Sequence, residues 1–556
     1  MKNLTAALLT LLAFLTLAAC SAETEKGTAD QEAGISPRAL EAHMRFLADD
    51  LLEGRGTGSR GYDIAARYVE SRLRGLGLAP LFAGSYRQPV PMRESVAVEG
   101  SGALTLTRDG TATSLRADED FLVFASSRET TTRVGGDVVF AGFGVVAEGR
   151  AYDDYAGLDT KGRIVAILDG APAQFPSDER AYYSSGATKA AEAARHGAIG
   201  MIIIMTPDSE KRYPWAARVA SARSGGVRWL DKDGQPAGSA PAIRATAMLS
   251  PGGAARLFGG TDGLAAAIEA AADGSLKARD LGVSAAIAVD STRRDFTSLN
   301  VGAMLKGADP ALADRYVVYS AHLDHLGIRP PINGDSINNG AYDNASGTAM
   351  LLEIAARFAH SAKRPRRSII FVSVTGEEKG LRGSDYFASN PPVAIDKIVA
   401  DVNMDMLLMQ HPVKDIVAFG ATHSSLGAIT EKAAAAMGIT VSPDPFPELV
   451  VFIRSDHYSF VRKGIPAISL FPGFNTGDPS EDGKEMFEHW MATTYHKPGD
   501  DMNQKFDFDA GATIANLNYR IGRAAADGDA APNWVAGDFF GRLFGPGRMA
   551  AAGANH

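Results

Sequence analysis

The sequence predicts an α/β fold: a mostly parallel central sheet flanked by helices, with a second, β-rich body inserted ahead of it. Three observations carry this expectation. From about Ser298 to Ala525 short apolar strands alternate with helical segments, the pattern of a sheet covered on both faces. Between about Gly135 and Gly260 the texture changes to short β-branched runs with one helix, expected at Thr188 to His196. The chain has 556 residues, 45% of them hydrophobic and 22% charged, enough for one large domain and at least one more. The formal charge of −9 lacks the basic footprint that neutralises phosphates, so no nucleic-acid partner is expected.

The elements follow in order. Lys2 precedes an apolar run from Leu4 to Leu17, too short to span a bilayer comfortably, and then Leu17-Ala18-Ala19-Cys20. This resembles a secretory signal ending in a bacterial lipobox. The resemblance implies removal of residues 1–19, a lipid anchor on Cys20 and, with Ser21 next, an outer-membrane protein facing the periplasm. The alternative is an ordinary signal peptide and a soluble periplasmic or secreted protein. Apart from that anchor, no membrane contact is expected. Cys20 is the only cysteine, so an intramolecular disulfide and a thiolate zinc cluster are both excluded, and any metal must be held by His, Asp and Glu. Residues 20–34 read as a polar tether. From Ser36 to about Gly77 apolar residues recur at three and four, giving two helices separated by the glycine-rich break Gly54 to Gly61; residues 35–130 are assigned to the first part of the main domain.

The inserted domain is expected over 131–270. Its strands are Asp137 to Phe140, Arg163 to Leu168 and Ile199 to Met205. Gly142, Gly144 and Ala147 satisfy the dinucleotide fingerprint GxGxxA. No apolar helical period follows to present amides to a pyrophosphate, so no such cofactor is expected. The runs DDYAGLDTKGRIVAILDG and ATKAAEAARHGAIGMIII instead resemble a protease-associated (PA) domain, a non-catalytic insert that shapes a peptidase cleft. A helix and linker, Leu264 to Gly282, lead to the catalytic stretch, 285–530. Its strands are Tyr316 to Ala321, Ser368 to Val374, Ile398 to Asn403, Ile416 to Phe419 and Ile465 to Leu470, with a helix from Gly347 to His360. Residues 531–556 form a tail in which Trp534 and Phe539-Phe540 are candidates to dock on the catalytic domain.

In α/β sheets ligands bind beyond the carboxyl ends of the strands, and there this sequence carries its ionisable residues. They are His322, Asp324 and His325 in AHLDH, Asp343 in AYDNASG, Glu377 and Glu378 in VTGEE, Asp405 in NMDM, and Tyr495 and His496 in TTYHKP. Singly, each has an ordinary explanation: a satisfied polar residue, a solvated turn, a helix cap. Together, two His, two Asp and one Glu with a spare Glu beside them match what two divalent ions sharing a bridging carboxylate require.

With these motifs in this order, the chain resembles peptidase family M28, co-catalytic di-zinc metallopeptidases that are mostly aminopeptidases. The resemblance covers about Ser36 to Asp527. It implies the zinc-dependent exopeptidase (phosphorylase/hydrolase-like) fold, a peptide substrate, and two Zn2+. Carried over by motif, Asp343 would bridge the ions, His322 and Asp405 would complete one site, and Glu378 and His496 the other. Asp324 is placed to accept from the free N–H of His322 and fix its tautomer. Glu377, beside a ligand, is the natural general base, and Tyr495 a donor to the oxyanion. Arg454, Asp456 and His457, in RSDHYSF, are candidate substrate contacts, a purely structural loop being the alternative. His325 is either a supporting residue near the ions or a hydrogen-bonded turn residue. The Asn344-Ala-Ser string is read as a false glycosylation signal.

Two further functions stay in view: a peptidase-like scaffold serving as a receptor without catalysis, which the complete ligand set argues against, and a single-zinc acyltransferase resembling glutaminyl cyclases. No GxSxG elbow supports a serine hydrolase.

Overall fold

The structure, a computed structural model, describes residues 34–546 except residue 239. The expected signal, Cys20 with most of its tether, and residues 547–556 lie outside the described residues.

The main sheet is built around four parallel strands in the spatial order Ser368–Val374, Tyr316–His322, Ile398–Asn403 and Ala467–Pro472. The register sets His322 beside Val374 and Ser320 beside Asn403, so the carboxyl ends of three strands finish side by side. Every residue of Ser368–Val374 and Ile398–Asn403 is buried, which is why these strands read as continuous apolar runs rather than alternating ones. Helices Pro37–Leu47, Gly347–His360 and Phe508–Asp527 cover one face and share a core containing Met44, Leu351, Phe358 and Leu517. Helices Arg382–Ser389 and His457–Val461 cover the other with Phe387 and Phe460. Antiparallel strands extend both sides, Arg279–Leu305 followed by Arg87–Ala97 on one and Asp415–Phe419 on the other. The parallel centre and flanking helices are those the sequence predicts.

The insert has its own sheet. Thr131–Phe140, Ile164–Leu168, Gly200–Ile204 and Ala245–Leu249 lie parallel in that order. This sheet is wider than the expected 131–270. It also takes in Ala103–Arg108, Thr111–Ser114 and Phe121–Val123, and the first part of Arg279–Leu305. The cause is one continuous strand: residues 283–288 pair with Ala103–Arg108, and residues 291–301 pair with Arg87–Ala97 in the main sheet. The polar alternation of ALTLTR and TATS left those strands unassigned, and the expected linker near Gly282 is strand. After Gly144 the chain forms the two-residue pairing Val146–Ala147 with Tyr152–Asp153, joined by a single 3-10 turn at Glu148–Arg150 and not by an α-helix. The amides of Phe143 and Val145 are taken by the Asp154 carboxylate, at 2.9 and 3.1 Å, so the loop offers those donors to its own side chain.

Candidate metal and catalytic site

Loops at the carboxyl ends of the parallel strands bring the predicted residues together. His322 ends its strand, Glu377 and Glu378 follow Ser368–Val374, and Asp405 follows Ile398–Asn403. Asp343 lies in the irregular turn Ala341–Ser346 that feeds helix Gly347–His360, and the Asp343–Asn344 peptide is cis. Two close approaches require glycine here. Gly340 has φ +62, and a Cβ on it would meet the Asp343 carbonyl at 2.1 Å and the His325 ring at 2.6 Å; one on Gly347 would meet the Met404 carbonyl at 2.3 Å.

The turn is fastened from both sides. The amides of Tyr342 and Asp343 donate to the Asp500 carboxylate at 2.9 and 3.0 Å. Asn344 is buried, its Nδ2 donating to the Met404 carbonyl at 2.9 Å while its Oδ1 accepts from Gly347 N, also at 2.9 Å. That placement removes it as a glycosylation acceptor. On the other side the buried Arg55 guanidinium donates to the carbonyls of Leu323 at 2.9 Å, Asn339 at 2.6 Å and Gly340 at 2.9 Å, and to that of Leu47. Burial lowers the Arg55 pKa to about 10, against the opposing pull of Asp500, Asp343, Asp324 and Glu378. Sequence reasoning missed Arg55 and Asp500. The only signal for Arg55 is its place in the glycine-rich break, and for Asp500 its place four residues beyond His496.

Asp343 is the shared member of two donor groups. His322 Nε2 lies 3.3 Å from Asp343 Oδ1 and 3.0 Å from Asp405 Oδ1. On the other side, His496 Nε2 lies 3.2 Å from Asp343 Oδ2 and 3.4 Å from Glu378 Oε2. His325 joins the second group, with Nδ1 2.8 Å from Glu378 Oε1 and 3.7 Å from Asp343 Oδ2. His322, Asp343 and Asp405 form one potential ligand triad, and His325, Asp343 and Glu378 another. Of the two readings offered for His325, the geometry supports the one that sets it beside the candidate ligands Glu378 and Asp343.

The donor set fits zinc: imidazole nitrogens and carboxylate oxygens, converging in a largely buried place. The electrostatics agree. Burial would depress the His322 imidazole, yet Asp405, Glu377 and Asp343 hold its pKa well above the ordinary value; the same negative field attracts a metal cation. Burial would raise the Asp343 carboxyl, but His325, His322 and His496 hold it well below the usual range.

The surrounding residues divide less neatly. His322 Nδ1 faces the backbone carbonyl of Asp324 at 3.0 Å, not its carboxylate. This corrects the expected contact: the Asp324 carboxylate is turned to Thr57 Oγ1 at 2.8 Å and to the Glu377 amide at 3.1 Å. Asp324 therefore fixes the imidazole through its main chain and steadies the Glu377 turn through its side chain. Glu377 has its carboxyl raised well above the ordinary range by burial, with Asp405, Glu378 and Asp456 adding to the rise and His322 opposing it. Tyr495 stacks on His496 at 3.7 Å, and burial with the nearby Asp343 and Glu378 raises its hydroxyl well above the ordinary value.

Glu377, Tyr495, Asp343, Asp405 and His496 line one cavity of about 900 Å³, open to solvent. Its far wall is apolar, with Phe446, Leu470, Phe474, Phe487 and Met491. Arg454 is exposed on the wall, but Asp456 and His457 are fully buried and do not line it. They are corrected as substrate contacts: helix His457–Val461 turns into the core, and burial lowers the His457 pKa to about 4.

Residues 300–520 match peptidase family M28. The match is a similarity of that stretch, which covers less than half of the chain. A probable zinc metalloprotease of Pyricularia oryzae is 28% identical over 251 residues, covering 39% of this chain and 48% of that protein. Leupeptin-inactivating enzyme 1 of Streptomyces exfoliatus is 30% identical over 186 residues, covering 32% of this chain and 36% of that protein. The chain thus spans about half or less of the length of these curated relatives. Among solved structures, an aminopeptidase from Aneurinibacillus sp. strain AM-1 superposes with TM-score 0.50 at 20% identity, covering 88% of this chain and 94% of that one. The likeness is one of fold, and it runs beyond residues 300–520 to most of the described chain.

Proposed function

We propose that this protein is a di-zinc aminopeptidase that releases N-terminal residues from peptides. The observation that carries the reading is Asp343, whose two carboxylate oxygens face different donor groups, Oδ1 toward His322 and Oδ2 toward His496, at 3.3 and 3.2 Å. A carboxylate so placed suits two ions, with His322 and Asp405 serving one and Glu378 and His496 the other, while His325 holds Glu378.

Zinc ions held by these residues would acidify a water and polarise the scissile carbonyl. The remaining steps belong to the chain. Glu377 has no side-chain hydrogen bond among the described residues and faces the cavity, so it is free to take a proton from the attacking water and pass it to the departing amine as the C–N bond breaks. Tyr495, kept protonated by its surroundings, donates to the carbonyl oxygen as charge develops there. No side chain forms a covalent intermediate. The apolar wall of Phe446, Phe474 and Phe487 favours a bulky apolar side chain on the released residue. The insert, read as PA-like, borders this cavity through helix Ser177–Ser184, which contacts the turns at 447–453. Export with a lipid on Cys20 is part of the same proposal, and incorporation of labelled palmitate that Cys20→Ala abolishes tests it.

The deciding experiment is a panel of peptides with free and acetylated N-termini given to the zinc-loaded protein. Cleavage of the free set from the N-terminus is expected. Cleavage of blocked peptides alone would overturn the aminopeptidase reading, and cyclisation of N-terminal glutamine without hydrolysis would favour the cyclase. Glu377→Gln should keep its zinc and lose at least ~10²-fold in turnover; undiminished activity would remove Glu377 from the mechanism.

A further inference from the structure

The cavity wall contains a backbone conformation that its own sequence does not favour. Residues 447–449 and 451–453 form two single turns of 3-10 helix joined at Val450, which has φ +52 and ψ +40. A β-branched residue is uncommon in the left-handed region and persists there only when its surroundings fix it. Val451 and Arg454, immediately after this joint, line the cavity.

Part of those surroundings comes from the C-terminal segment, beside helix Ser177–Ser184 of the insert. The amide of Ser425 donates to the Asn533 carbonyl and that of Val535 to the His423 carbonyl, both at 2.9 Å, and Trp534 Nε1 donates to the Gly464 carbonyl, also at 2.9 Å. Thus anchored, helix Phe539–Phe544 inserts Phe540, which is 0% exposed. Its ring lies 5.2 Å from Phe452 and 5.1 Å from His423, and His423 in turn stacks on Phe452 at 4.6 Å. His423 is held by Asp538 of the same C-terminal segment at 2.6 Å and by Asp178 of the insert at 3.3 Å.

We propose that Phe540 is a positioning residue for the substrate cavity: packed on Phe452, it holds the strained 447–453 turns, and with them Val451 and Arg454, in the shape that receives the peptide. The inference rests on the cavity being the substrate site, and it assigns helix Phe539–Phe544 a task in substrate binding. Phe540 touches neither the reacting groups nor the ligand cluster, so the expected signature is in binding, not in chemistry.

The test uses the full chain loaded with zinc and leucine amide as substrate. Phe540→Ala should raise KM by at least about fivefold with kcat within about twofold and zinc content unchanged, and Phe540→Leu should restore most of the loss. Amide hydrogen exchange needs no turnover: it should accelerate at least about tenfold in 447–453 and stay unchanged in the Tyr316–His322 strand. If Phe540→Ala does not fold, Asp538→Asn, which removes only the ion pair, should show the same local acceleration to a smaller extent. Unchanged exchange in 447–453, or equal losses in kcat and kcat/KM with KM preserved, would overturn the positioning role. Failure of the wild type to hydrolyse leucine amide would instead count against the aminopeptidase reading, leaving the exchange result to decide the role of Phe540.

Discussion

The placement of Asp343 depends on the residues that hold its backbone. Its amide and that of Tyr342 are spent on Asp500, and the carbonyls of Gly340 and Asn339 on Arg55, so the carboxylate is presented with little freedom to rotate away from His322 and His496. Replacing Asp343 with Ala should therefore abolish both metal binding and activity; retention of two zinc ions by that variant would refute the bridging role. Arg55→Met leaves the carbonyls it served buried and unpaired, a change expected to cost about 3–5 kcal/mol in urea unfolding. A loss below about 1 kcal/mol would mean that the loop carries itself. The sequence made Glu377, Glu378 and Asp405 visible, since acidic residues directly following apolar strands stand out locally. Arg55 and Asp500 were not visible: the carbonyls Arg55 serves on Leu323 and Gly340 are 268 and 285 residues away, and no local pattern marks such a partner. For the same reason the sequence could not tell which atom of Asp324 meets His322.

At the level of elements, the parallel strands align their carboxyl ends, and the loops beyond them set the site. The limits read from the sequence for Ser368–Val374, Ile398–Asn403 and Gly347–His360 are those observed, because bounded apolar runs of strand and helix length are local signals. The contact between insert, catalytic stretch and C-terminal segment rests on an ion-paired histidine with no such signal. Burial would lower the His423 pKa, but Asp178 and Asp538 raise it from 6.5 to about 9. A histidine pKa raised on folding contributes stability that is fully present below about 6.5 and is lost as pH rises through about 9; for a shift of this size the loss is about 3 kcal/mol. Denaturant unfolding at pH 6 and pH 10 should show it in the wild type and not in His423→Gln. Equal losses in both proteins would locate the pH dependence elsewhere.

Across the whole molecule, the strand Arg279–Leu305 ties the two sheets by passing from one into the other, and the ligand cluster gathers residues from loops far apart in sequence. Five carboxylates, Asp324, Asp343, Glu377, Glu378 and Asp405, meet in a small volume with three imidazoles, an arrangement that cations stabilise by linkage. Removing metal with a chelator should lower the Tm by more than about 5 °C, and added zinc should restore it at about two ions per chain. Restoration at one ion per chain would point to the single-zinc alternative. The order of the elements, the parallel centre of the sheet and the acids at its strand ends were determined by the sequence alone, because hydrophobic period and strand-end position are local properties. The tertiary structure alone decided that His325 joins the ligand cluster, that Asp456 and His457 turn into the core, that the insert's sheet begins before residue 131, and that Phe540 backs the cavity wall. Each of these is a contact between distant segments, and only the folded path of the chain determines which distant groups meet.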